Sequence, residues 1–217
     1  MDNKLTASQE QLIYQYFSAG ANLYGIVSLR KLLKIYNSQN KEITEEQFCE
    51  IIRKVQAEDC HEYYIVGEDE LYDDVPVLEL IDKDVVAEYV LSLGDEDYYR
   101  LKEEQNGKPY YVPDKEKFLR YADPFYYEKT PEFLSMRAYL RNYSNLSKEK
   151  ADDLAEEIVT YAVIDGEDMS GSYKEFERYK LAFKSKNAAK VFDELMFFCI
   201  KNTRMHFHRG HTPEEIF

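Results

Sequence analysis

The chain has 217 residues, 44% of them apolar, a net charge of −14, three cysteines and no run of the ~20 apolar residues that a membrane span needs. This composition excludes a disordered chain, a disulfide scaffold and a membrane-spanning helix, and it leaves room for a sizeable core. The charge is concentrated: residues 58–104 carry three basic and seventeen acidic side chains, while the segments on either side are nearly balanced. Such a field repels phosphate and anionic lipid and attracts basic partners. Cys49, Cys60 and Cys199 never occur as C-x-x-C, which fits a reducing cytoplasm.

In chain order, Thr6 and Gln9 form a capping box for a first helix with Leu12, Ile13, Tyr16 and Phe17 on its core face. NLYGIVSL (22–29) is a turn leading to Ser28 as the cap of a second helix, which carries Leu29, Leu32, Leu33 and Tyr36. Thr44 and Gln47 box a third helix, with Phe48, Ile51, Ile52 and Val55 inward. EYYIV, the turn GED and ELYDD then read as a two-stranded hairpin. Three short helices and a hairpin are the order of a winged-helix unit, predicted over residues 1–78.

Residues 79–112 read as an acidic helix, LIDKDVVAEYVLSL (80–93), and a glycine-broken connector. Residues 113–217 read as a helical bundle. Its helices are predicted over Lys115–Tyr121, Pro131–Tyr143, Ser147–Val163, Tyr173–Phe183 and onward from an Asn187 cap. The last is apolar nearly all round, so it is expected at the centre, with Phe197 covered by another element. The expected fold class is therefore mainly α with a small β-hairpin: a winged-helix-like N-terminal unit followed by a C-terminal helical bundle.

His206, His208 and His211 make an H-x-H-x-x-H cluster that could hold a divalent transition metal. The spacing is not that of a helical zinc pair, and a packed turn between two helices is the favoured alternative. Gly210 suits a position with positive φ. Thr212, Pro213 and Glu215 then supply an N-cap, an N1 proline and an N3 carboxylate, and Ile216 and Phe217 are expected to dock on the core. Arg204 and Arg209 could form an anion site or pair with carboxylates inside the fold, and the second is favoured.

Nucleic-acid binding through the winged helix would rest on Lys31, Lys34, Arg53 and Lys54. The predicted recognition helix opposes it by starting with Glu45, Glu46 and Gln47, and so does the wing tip Gly67-Glu68-Asp69-Glu70. Asp165, Glu167 and Asp168 around Gly166 lack the spacing of a calcium loop. Gly20 to Gly25 lacks the lysine of a phosphate loop, and no serine or cysteine sits in a nucleophile signature. Tyrosine pairs at 63–64, 98–99, 110–111 and 126–127 suit cores and protein interfaces, because the ring packs while the hydroxyl stays polar. No catalytic residue is assigned and no cofactor is required. The expectation is a cytoplasmic binding or regulatory protein with a basic protein partner.

Three stretches, NLYGIVSL (22–29), YYVPDKEKFLRYADPFYYEKTP (110–131) and NTRM…RGHTPEEI (202–216), resemble a family of low-GC Gram-positive bacterial proteins of uncharacterised role. Many members of that family continue into a SEC-C motif, a small zinc-binding module. The resemblance marks Asn202, Thr203, Arg204, Arg209, Gly210, His211, Thr212 and Pro213 as the family-like cluster. This sequence has no C-x-C or CC segment, so the resemblance implies no zinc here.

Overall fold

The computed structural model describes residues 4–57, 62–92 and 95–216. Cys60, Leu93, Gly94 and Phe217 lie outside them, and with them the end of the predicted 80–93 helix and the docking expected of Phe217. The protein is mainly helical with one small antiparallel sheet. It groups into two compact units, Met1–Tyr126 and Tyr127–Phe217.

The first unit runs α1 (Ala7–Tyr24), β1 (Ile26–Ser28), α2 (Leu29–Gln39), α3 (Glu45–Gln56), β2 (Tyr63–Val66), α4 (Glu68–Leu71), a 3-10 turn (Leu80–Asp82), β3 (Asp84–Ala87), α5 (Glu88–Ser92), α6 (Asp95–Gln105) and α7 (Lys115–Arg120). Both capping boxes form as the sequence predicts: Thr6 with Gln9, and Thr44 with Gln47. Ser28 accepts the Lys31 amide and caps α2. Ile13, Tyr16, Phe17, Leu32, Tyr36, Phe48, Ile51 and Ile52 close the core.

Two elements depart from the predicted pattern. ELYDD is not a strand: Glu68–Leu71 is a helical turn in which Glu70 accepts the Gly67 amide at 3.0 Å. The partner of β2 is Asp84–Ala87, which lies in the predicted 80–93 helix. Strand order is β1-β3-β2, with Val85 opposite both Val27 and Ile65. The central strand is covered on both faces, so it needs an apolar run, and Val85-Val86-Ala87 supplies one that the acidic ELYDD cannot. A pair of valines that fits helical spacing also fits a short buried strand, and β-branching favours the strand.

The segment after the predicted boundary at residue 113 belongs to the first unit, because α1 and α2 bind it. Asn22 Nδ2 donates to the carbonyls of Tyr121, Asp123 and Tyr126 at 3.2, 2.9 and 3.2 Å. Tyr24 donates to the Tyr111 carbonyl, Gln39 donates to that of Pro113, and Phe118 packs on Tyr16 and Tyr24.

The second unit comprises α8 (Pro131–Tyr143), α9 (Lys148–Asp165), α10 (Ser170–Tyr179), α11 (Lys186–Lys201), a 3-10 turn (His206–His208) and α12 (Pro213–Ile216). Its core joins Phe133, Met136 and Leu140 of α8 to Leu154, Ile158 and Val159 of α9 and to Phe192, Met196, Cys199 and Ile200 of α11. Ser185, not Asn187, caps α11, accepting the Ala188 amide at 3.1 Å. The helix predicted to run to Phe183 stops at Tyr179, with Lys180 in the left-handed region. α11 buries only one face, through Phe192, Met196, Cys199 and Ile200, so the central, all-round covered position expected of it is not found: Phe197 and Phe198 are each 55% exposed.

Candidate interaction surface

In the second unit, residues 202–213 build one closed turn. Asn202 ends α11 and Nδ2 of its side chain donates to the Phe198 carbonyl; Thr203 Oγ1 donates to that of Cys199 at 2.8 Å. Arg209 and Gly210 both take positive φ, which reverses the chain so that the Met205 amide reaches the His211 carbonyl and the Gly210 amide returns to Met205. Arg204, only 13% exposed at its side chain, clamps this turn. Its Nη1 donates to the Gly210 carbonyl at 3.0 Å and to Glu215 Oε2 at 2.9 Å, and its Nε lies 3.1 Å from Glu128 Oε1. Glu215 also accepts the Thr212 amide, one half of the predicted capping box, and lies 3.2 Å from His211 Nδ1. Thr212 and Pro213 are buried. Burial opposes ionisation of Glu215, but the Arg204 guanidinium, the Thr212 amide and His211 outweigh it and hold its carboxyl below the usual range. The cluster is a structural clasp in which Arg204 pairs inside the fold.

His206 and His208 are buried in the 3-10 turn and His211 faces Glu215. Among the described residues no three His, Cys, Asp or Glu side chains are grouped to hold a metal ion. Stoichiometric zinc is expected to leave the melting midpoint unchanged. A zinc-dependent rise that disappears in a His206→Ala/His211→Ala variant would establish the metal reading. The DGEDMSGS loop is likewise structural. Gly166 (φ 69°) passes so close to the Phe207 ring that an added Cβ would lie 2.8 Å from it, Glu167 pairs with Lys201, and Asp168 accepts the Ser170 amide.

In the first unit, two of the four basic residues proposed for nucleic acid have partners within the unit. Lys54 binds both carboxylate oxygens of Glu10 at 2.8 Å, and the Lys31 ammonium lies over the Tyr110 ring. Lys34 and Arg53 are exposed.

The opposite sign dominates beside α3. Residues 62–82 hold eight carboxylates and no lysine or arginine. The cations that reach them from elsewhere are each spent on them. Arg30 binds Asp82 and Glu45, Lys83 binds Glu70 at 2.5 Å, and Lys102 binds Glu68 at 2.7 Å. Asp73, Asp74, Glu79 and Pro76 remain exposed around Val77, which is 90% exposed. Tyr72 packs on the exposed Tyr99 with centroids 4.4 Å apart. Carboxylates interspersed with exposed rings and aliphatic side chains can engage basic, partly apolar protein surfaces.

Two of the tyrosine pairs divide between core and surface. Tyr63 and Tyr98 are buried while Tyr64 and Tyr99 are exposed, the first pair because successive strand residues point to opposite faces. The residues of the 110–111 and 126–127 pairs are all half-buried.

Among the described residues no helix is long and apolar enough to cross a membrane. Comparison with protein-family models, with curated proteins and with solved structures finds no match to this chain.

Proposed function

We propose that this protein is a non-enzymatic binding or regulatory protein of the bacterial cytoplasm. Its N-terminal unit is winged-helix-like and contacts a basic protein partner through α3 and the 67–82 segment. The order α1-β1-α2-α3-β2-β3, with α4 and a 3-10 turn between β2 and β3, and the strand order β1-β3-β2 support the winged-helix reading. The unpaired Cys49 and Cys199 support a reducing compartment. The observation that carries the partner class is the 62–82 segment itself: eight carboxylates with no cation of their own, where a DNA-binding winged helix needs positive charge.

The test is binding of the purified protein to a lysine- and arginine-rich peptide and, separately, to duplex DNA at low salt. Reversing Asp73, Asp74 and Glu79 to lysine is expected to weaken peptide binding about tenfold or more. Reversing Glu149, Asp153 and Glu156 of α9 should change it little. Equal losses from both triple variants would reduce the effect to net charge alone. Salt-sensitive DNA retardation lost in Arg53→Ala/Lys54→Ala would favour a nucleic-acid regulator instead.

A further inference from the structure

The outer stripe of α11 reads Lys190, Asp193, Glu194, Phe197, Phe198, Lys201, a spacing of three and four that places all six on one side of the helix. Single exposed aromatic residues are ordinary. Here two adjacent phenylalanines stand in the middle of the stripe, each more than half exposed, with their rings edge-on at 5.8 Å. Nothing in the described chain covers them.

The charges around the pair are arranged unevenly. Acidic residues lie on its N-terminal side and a lysine on its C-terminal side. We propose that this stripe binds a second copy of the chain, with the two α11 helices crossing antiparallel about a two-fold axis between Phe197 and Phe198. In that arrangement Phe197 of one copy meets Phe198 of the other, and Lys201 meets Glu194. A parallel pairing would instead set like charges against each other.

The residues are placed for this role. Lys201 extends over its own Phe197 ring at 5.7 Å and already pairs with Glu167 at 2.7 Å, with its side chain 22% exposed, so Glu194 of the second copy would share an ammonium that Glu167 holds at the rim of the aromatic pair. Glu194 has only a long contact with Lys190, 3.9 Å, and its side chain is 59% exposed. The second unit also carries little charge to oppose self-association: residues 127–217 hold fourteen basic and sixteen acidic side chains, against fourteen and twenty-six in residues 1–126. One helix stripe is smaller than a standard interface, so the dimer is a weak, reversible one.

Sedimentation velocity on the full chain from about 1 to about 200 µM tests this, a range that brackets micromolar association. The expected result is a concentration-dependent monomer–dimer equilibrium. Phe197→Asp and Phe198→Asp should each abolish it while leaving the circular dichroism spectrum and melting midpoint unchanged, since both positions are exposed. Glu194→Lys and Lys201→Glu should each weaken the dimer about tenfold, and the double exchange should restore it to within about threefold of the parent. A monomer at every concentration overturns the proposal. So does a dimer indifferent to Phe197→Asp, or a double exchange that fails to restore association.

Discussion

Lys102→Met is expected to destabilise the first unit by about 2 kcal/mol: the buried Asp84 would stay charged, but the Lys102 side chain is 35% exposed, so solvent screens part of the penalty of a fully buried pair. Lys102 on α6 donates to Asp84 Oδ2 at 3.1 Å, to Glu68 Oε1 at 2.7 Å and to the Tyr98 hydroxyl at 3.1 Å. Asp84, at the start of the central strand, is buried, and its second partner is the Tyr98 hydroxyl at 2.6 Å. Burial disfavours the Lys102 ammonium, but the Asp84 and Glu68 carboxylates outweigh it and raise its pKa above the ordinary value. Burial and the nearby Asp84 charge raise the Tyr98 pKa, so that ring remains a hydroxyl donor. Methionine would keep the packing and leave Asp84 without a counter-charge. Asp84→Asn in the Lys102→Met background should therefore recover part of the loss. Chemical denaturation of the two single variants and the double would give a coupling of about 2 kcal/mol. Coupling below about 0.5 kcal/mol would show that solvent and Tyr98 already satisfy Asp84.

Arg204→Met should cost the second unit about 2 kcal/mol or more, because it strips charged donors from the Gly210 carbonyl and the Glu215 and Glu128 carboxylates. Lysine at 204 should recover only part, since one ammonium cannot span the two oxygens of Glu215 and the Gly210 carbonyl together. The same clasp sets a pH dependence. The folded-state pKa of Glu215 lies below its unfolded value. Its contribution is thus full above the ordinary glutamate pKa of about 4.3 and is lost as pH falls through the depressed value. At neutral pH Glu215→Gln should be less stable by about 1 kcal/mol, a figure kept small because the carboxylate is partly solvent-screened. The two stability curves should converge as the pH falls below the ordinary glutamate range and Glu215 takes up its proton in the folded state. Curves that stay parallel throughout the acid limb would mean that the clasp does not depend on the Glu215 charge.

Much of the chain was legible because local signals there act alone. Thr6 with Gln9 and Thr44 with Gln47 satisfy amide groups within one turn, and the face of Phe48, Ile51, Ile52 and Val55 follows from helical period. Gly210 takes the positive φ expected of it. The surface position of the 62–82 carboxylates could be read directly, since charged side chains stay at the surface, although the cations that Arg30, Lys83 and Lys102 bring to Asp82, Glu70 and Glu68 could not. α6 was hidden for the opposite reason. Tyr98, Leu101 and Gln105 form its inward face, but Gln105 counts as polar until its buried Nε2 is seen donating to the Tyr24 carbonyl at 2.6 Å.

The sequence by itself determined the helical class, most of the caps, the sign of the surface field and the positive-φ turn at Gly210, all of which depend on neighbours a few residues apart. Only the tertiary structure decided that Asp84–Ala87 is a central strand, that residues 110–126 bind α1 and α2, that Lys102 is held between Glu68 and Asp84, and that Phe197 and Phe198 remain uncovered. Those outcomes depend on which distant segments meet. Short apolar runs and single polar side chains are compatible with several environments until the packing of the rest of the unit selects one.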